Sequence, residues 1–205
     1  MGIFVNGREA FFSAHDLPIL ISGKEGSGAS YFSLCLIADF LRRGHKILFF
    51  SAFPAAKIDL MRQVSDLDRG NCEFVKNGDP IQGKRAVILE SSDEADIINE
   101  VKRVADLEER VIFFKNMDKY SSALFSAVNS TPRLIVSGDV DKCAFVTDLS
   151  KKDFSTMIFF SKPEAYKMDD FSNLKKYQGM VKGVSHNGIV QVIEEPDVDD
   201  LDYRI

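Results

Sequence analysis

Eight consecutive residues, Gly23-Lys24-Glu25-Gly26-Ser27-Gly28-Ala29-Ser30, carry the clearest chemistry in this chain. Glycines at 23, 26 and 28 let the backbone turn tightly and aim its N–H groups at a common centre. A helix starting just after such a turn adds its partial positive charge, so an anion such as phosphate is welcome there. Against the phosphate-binding spacing G-x-x-x-x-G-K-[ST], the run departs at one position: Ala29 stands where a lysine reaches the β- and γ-phosphates. Losing that charge-assisted hydrogen bond costs about 1.5–3 kcal/mol, one to two decades in affinity. Ser30 keeps the hydroxyl that this kind of loop places on magnesium. Lys24 has two readings: a donor to a phosphate of its own or a neighbour's loop, or a solvated side chain beside Glu25.

The flanks supply the elements that position this turn. Ile-Leu-Ile-Ser at 19–22 reads as a buried strand, and 29–43 as a helix apolar on nearly every side, closed by Gly44. The competing dinucleotide pattern G-x-G-x-x-G fails, because from Gly26 its last position is Tyr31. No acidic residue follows the second strand, where the chain reads Ser51-Ala52-Phe53. Strand, turn and helix together predict a P-loop.

Further short apolar runs at 47–50, 86–89, 111–114, 134–136 and 157–160 alternate with helical patterns. Ser91-Ser92-Asp93-Glu94 resembles a capping box opening a helix whose inner face carries Ile97, Ile98, Val101, Val104 and Leu107. Residues 55–69 form a polar amphipathic stretch, 70–84 a turn-rich one with a short strand, and 121–128 a short helix. This alternation predicts an α/β fold, a three-layer sandwich with a mainly parallel central sheet. Asn6-Gly7 and Asn187-Gly188 predict terminal β-hairpins that add antiparallel edge strands. Residues 1–195 are expected to form a single domain, followed by an acidic, flexible tail at 196–205. That tail is either solubilising or a docking segment for a basic partner surface.

Composition narrows the classes. A net charge of −5 and a pI near 5.3 argue against broad nucleic-acid binding. Cys35, Cys72 and Cys143 have no C-x-x-C spacing, and His15, His45 and His186 lack acidic or thiol neighbours at ligand spacing, so no metal cluster is expected from them. Asp118 and Asp139 follow strands at the edge where such sheets bind ligands; they either line the site or shape turns. No segment has the apolar length to span a bilayer, and the first residues match neither a signal peptide nor a myristoylation pattern. A cytoplasmic protein is expected.

Over eight residues the turn resembles the deviant P-loops of the MinD/ParA family, where an extra lysine sits at the place of Lys24. That family keeps its second lysine too. Over residues 15–195 the chain resembles RecA-type ATPases, closest to the KaiC-like branch. The glycine turn, Gly44-His45-Lys46-Ile47-Leu48-Phe49-Phe50-Ser51, the strand 86–90, and Lys175-Lys176-Tyr177-Gln178-Gly179 with Gly188-Ile189-Val190 carry that resemblance. It implies nucleotide binding over Gly23–Ser30, with ATP or ADP and magnesium as ligands, and Ser30 with Glu90 as the metal residues. It also marks losses. The glutamate pair after strand two is replaced by Ser51-Ala52-Phe53-Pro54, and Gln178 replaces the arginine that touches a neighbour's phosphate, although Lys176 matches the accompanying lysine.

Loop lysine, general base and arginine each stabilise a transferring phosphoryl group, and an arginine finger alone supplies roughly 10³–10⁵ in rate. The sequence therefore predicts a catalytically degenerate homologue with weak or absent nucleotide binding. Its expected role is a regulatory or scaffolding subunit, assembled with itself or with an active relative. The alternative is an unorthodox ATP-binding protein in which Lys24 replaces the missing charge.

Overall fold

A computed structural model describes residues 2–63, 72–75, 78–80, 84, 86–104, 110–164, 166, 171 and 174–193. The acidic stretch 196–205, residues 64–69 of the amphipathic stretch and Leu107 lie outside the described residues.

In chain order the elements are β1 (Gly2–Val5), β2 (Arg8–Glu9), β3 (Ile19–Ser22), α1 (Ala29–Arg42), β4 (Ile47–Ser51), α2 (Pro54–Gln63), β5 (Cys72–Val75) and β6 (Ala86–Leu89). They continue with α3 (Glu94–Val104), β7 (Val111–Lys115), α4 (Ser122–Asn129), β8 (Leu134–Gly138), α5 (Val146–Lys151), β9 (Thr156–Phe159), β10 (Gly179–Gly183) and β11 (Asn187–Ile193). The eleven strands of the described residues join one sheet in the order β2-β1-β11-β10-β9-β3-β8-β7-β4-β6-β5. From β9 to β5 every neighbouring pair is parallel, and the strands on the other side are antiparallel. The expected mainly parallel α/β sheet is what forms.

The parallel strands are buried on both faces, so they read as continuous apolar runs rather than alternating ones. Their alternate residues feed two cores. Ile19, Ile21, Ile47, Phe49, Phe113 and Ile135 pack with α1 and α2 on one face. Leu20, Leu48, Phe50, Ile112, Phe114 and Val136 pack on the other with α3, α4 and α5. Helix α1 buries ten of its fourteen residues because α2 and the terminal strands cover the flanks that the sheet leaves open.

Local caps fix the helix entries. The Asp93 carboxylate accepts from the N–H groups of Ala95 (2.9 Å) and Asp96 (3.2 Å), satisfying orphan donors of α3. The expected capping box does not form: Asp93 is the cap, and Glu94 accepts from Ser121 N–H (2.8 Å) and the Ser121 hydroxyl, which ties α3 to the start of α4.

The hairpins differ from expectation in two ways. Both lie on the same edge, because β1 pairs antiparallel with β11. At the N-terminal one, Asn6 (φ 51°) and Gly7 (φ 76°) form the expected left-handed turn. At the C-terminal one, Asn187-Gly188 is not the turn. Those residues already pair with Lys182 and Val181, and the chain reverses at 184–186. The Asn6 side chain explains the shift, donating to Asn187 O (2.9 Å) and accepting from Ile189 N–H (2.8 Å). A long-range contact thus overrides a local turn signal.

Candidate functional site

Strands β3, β7 and β8 end side by side, and the glycine turn lies over their C-terminal tips. Gly23 N–H donates to Gly138 O at 3.4 Å, and Lys24 N–H to the Ser161 hydroxyl at 3.1 Å, so the turn is moored at both sides. Gly28 takes φ 96°, a conformation that favours glycine, and stands immediately before α1. The Ser27 hydroxyl curls inside the turn and accepts from Ala29 N–H at 3.5 Å. The stretch is a turn directly before the N-terminus of α1, with the N–H groups of Gly23, Lys24, Ser27 and Ala29 engaged within the protein.

Beside it opens a cavity of about 380 Å³. Gly23, Lys24, Glu25, Gly26, Gly28, Ala29 and Ser30 line it, as do Lys115, Asp118, Lys119, Ser137 and Asp139. Of the eight predicted loop residues, Ser27 alone is missing from the lining, since its side chain faces into the turn. Asp118 and Asp139 serve both readings given above. Each lines the cavity, and each holds a backbone N–H: Asp118 from Asp139 (3.2 Å), Asp139 from Asp141 (3.3 Å). Asp118 also pairs with Lys119 (3.3 Å) and Asp139 with Lys142 (3.4 Å).

The decisive group is one the sequence reading passed over. Lys115 closes β7, only 2% exposed, and its Nζ lies 2.8 Å from Ser30 Oγ, 3.0 Å from Ser33 Oγ and 3.3 Å from Ser30 O. Three donors meet three acceptors, so the ammonium is fully satisfied. Burial nevertheless disfavours the charge and lowers its pKa to about 8, opposed by the negative charges of Asp59 and Asp118. A signal for it was present: Val-Ile-Phe-Phe-Lys ends a buried strand in a cation at the ligand edge of the sheet.

Magnesium does not fit here. A metal held by Ser30 would bind its oxygen at about 2.1 Å, within about 5 Å of the Lys115 ammonium that already donates to that oxygen. A unit charge and a divalent ion 4 Å apart repel by about 8 kcal/mol at an effective dielectric of 20, a repulsion that the Asp59 and Asp118 charges beside Lys115 offset in part. A P-loop site draws a magnesium-holding aspartate from a strand end beside the loop, and the strand end that reaches Ser30 here carries lysine.

The expected partnership of Ser30 with Glu90 is not formed. Glu90 is exposed at the end of β6, and β8, β7 and β4 separate β6 from β3. Four strand spacings amount to roughly 19 Å, too far for one metal. The loop after β6 is instead held by Lys57 of α2, whose buried Nζ reaches Glu90 O (2.8 Å), Ser91 O (3.3 Å) and the Ser92 hydroxyl (3.3 Å). Among the described residues no group of three His, Cys, Asp or Glu could hold a metal ion.

The other positions marked as losses have structural duties. Ser51, at the end of β4, is hydrogen-bonded to Asn116 Oδ1 (2.6 Å) and accepts from Phe53 N–H (3.1 Å). Gln178 donates to Gln191 Oε1 (2.8 Å) across β10 and β11, while the Lys176 ammonium lies 4.7 Å over the Tyr177 ring.

No protein-family model matches this chain, and no curated protein is detectably similar to it in sequence. Solved structures do match its shape. The genome packaging NTPase B204 from Sulfolobus turreted icosahedral virus 2, in complex with AMPPCP, superposes with a TM-score of 0.53 at 14% identity, over 90% of this chain and 100% of that one. The same NTPase in complex with sulfate matches at 0.53 and 14%, over 89% and 99%. The pCW3 conjugation coupling protein TcpA, with ATPγS, gives 0.46 at 12% identity, over 93% of this chain and 65% of that one. The fold is that of P-loop NTPases. No helix among the described residues is long and apolar enough to cross a membrane.

Proposed function

We propose that this chain is a catalytically degenerate RecA/KaiC-like P-loop protein, a regulatory or scaffolding subunit that keeps the phosphate nest without turning ATP over. One observation carries the reading: the Lys115 ammonium sits on the Ser30 hydroxyl, where a metal-assisted reaction needs magnesium. The absent loop lysine at Ala29 and the structural use of Ser51 and Gln178 point the same way. A partner subunit, either a second copy or an active relative, would be the recipient of such a scaffold. The acidic segment 196–205 offers it a docking element. The neighbour's ligands, AMPPCP and sulfate, belong to the class of phosphate-like anions that a cavity lined by four lysines and three carboxylates suits.

The test is ATP turnover by the pure protein with magnesium. No turnover above a Ser30→Ala control is expected; robust magnesium-dependent hydrolysis abolished by Ser30→Ala would overturn the reading. A second reading, ATP binding through Lys24, is favoured by the place of Lys24 in the cavity lining. It requires affinity to fall at least about tenfold in Lys24→Ala.

A further inference from the structure

We propose that the cavity binds a phosphate-bearing anion free of magnesium, with the Lys115 ammonium in the metal's place behind Ser30. The inference rests on reading this cavity as a phosphate site without turnover, and it names the form of ligand that such a site takes.

The hydrogen-bond directions make the argument. Lys115 donates to Ser30 Oγ at 2.8 Å, so that oxygen is an acceptor on its buried side. Its own proton is left for the exposed side, and Ser30 is exposed at the rim of the cavity. A hydroxyl backed by a cation is a donor toward anions and a poor ligand for metals. Lys115 thus projects its charge through Ser30 while remaining buried.

A second group points to the same place. Ser137, near the end of β8, is 2% exposed and lines the cavity, yet among the described residues its hydroxyl has no hydrogen-bond partner. A buried hydroxyl without a partner costs about as much as a lost hydrogen bond, so a ligand oxygen there would satisfy it. The N-terminus of α1, fourteen residues long, adds backbone donors and its dipole on the third side. Lys119 and Lys142 are already matched by Asp118 and Asp139, and Lys24 stands exposed at the rim. At neutral pH, below the Lys115 pKa of about 8, the buried group is charged.

Excess magnesium converts ATP, ADP and pyrophosphate into metal complexes, which this site would reject. The experiment is calorimetric titration of the full chain with pyrophosphate, ADP and ATP, each in EDTA and again in excess magnesium. We expect binding in EDTA and an apparent affinity weakened about tenfold or more by magnesium. Nucleotides tighter than pyrophosphate would identify a nucleoside phosphate as the ligand, and equal affinities an inorganic phosphate. Ser30→Ala, which keeps the Ser30 carbonyl and the Ser33 hydroxyl as acceptors for Lys115, should weaken binding in EDTA about tenfold. Lys115→Met should do the same and erase the difference between EDTA and magnesium.

Binding that requires or is tightened by magnesium would overturn the inference, and so would absence of binding in EDTA by all three probes. Turnover is measured on the same preparation. Hydrolysis sinks the inactive-subunit reading, whereas absent binding without hydrolysis sinks this inference alone.

Discussion

Lys115 concentrates the unusual physics of this protein in one ammonium group. Its pKa of about 8 in the folded chain, against 10.5 for a free lysine, means that the unfolded chain holds its proton more tightly. Below pH 8 both states are charged and the folded state bears the full burial penalty. As the pH rises from 8 to 10.5 the folded chain loses its proton first, and stability rises. Relative to Lys115→Met, the parent chain should gain about 3 kcal/mol across that window. Urea unfolding of the two proteins at several pH values would show it. Using the difference cancels Tyr120 and Cys143, whose raised pKa values act in the opposite direction in both proteins. Equal slopes would mean that the ammonium is not buried as described. Ala29→Lys, restoring the loop lysine by itself, should leave magnesium-dependent turnover absent, because Lys115 still occupies the Ser30 hydroxyl.

Among the elements, the tip of β8 controls the far wall of the cavity. Gly138 has φ 155°, and a Cβ there would stand 2.6 Å from Asp118 Oδ1 and 2.9 Å from the Met117 backbone nitrogen. Gly138→Ala should therefore destabilise by about 1–3 kcal/mol and weaken anion binding, since Asp118 and the turn around it must move. A thermal melt with an unchanged midpoint would refute the close approach. The joint between α3 and α4 is a second such element. Glu94→Ala leaves the Ser121 N–H without its acceptor and should cost about 1–2 kcal/mol in chemical unfolding.

On the scale of the whole molecule, the sheet divides two cores that share strands but not side chains. Phe40 belongs to the α1 layer, and Phe125, stacked on Phe145 at 4.6 Å, to the α4 layer. Phe40→Ala and Phe125→Ala should each cost about 3–5 kcal/mol. Because they lie on opposite faces, the double variant should match the sum within about 0.5 kcal/mol. Coupling well above that value, read from denaturant unfolding, would show that strain crosses the sheet. The same architecture decides where a ligand can go. Parallel strands place their C-terminal ends on one edge, so the turn after β3 and the tips of β7 and β8 meet there despite sequence separations of about 85 to 115 residues.

The sequence by itself determined the strands, the glycine turn and the empty lysine position, because each rests on local physics: unbroken apolar runs, left-handed glycines, a helix start. It also located the Asn6-Gly7 turn and the ligand edge carrying Asp118 and Asp139. Sheet order was beyond it, since hydrogen bonding between strands depends on crossovers that no local pattern encodes. Without that order, Glu90 looked like the metal partner of Ser30, and nothing singled out Lys115, one residue beyond the apolar run 111–114. Only the tertiary arrangement put β7 two places from β3 and β6 four, which brought an ammonium rather than a carboxylate to the serine hydroxyl. A charge acts through distance, and distance across a sheet is set by the fold.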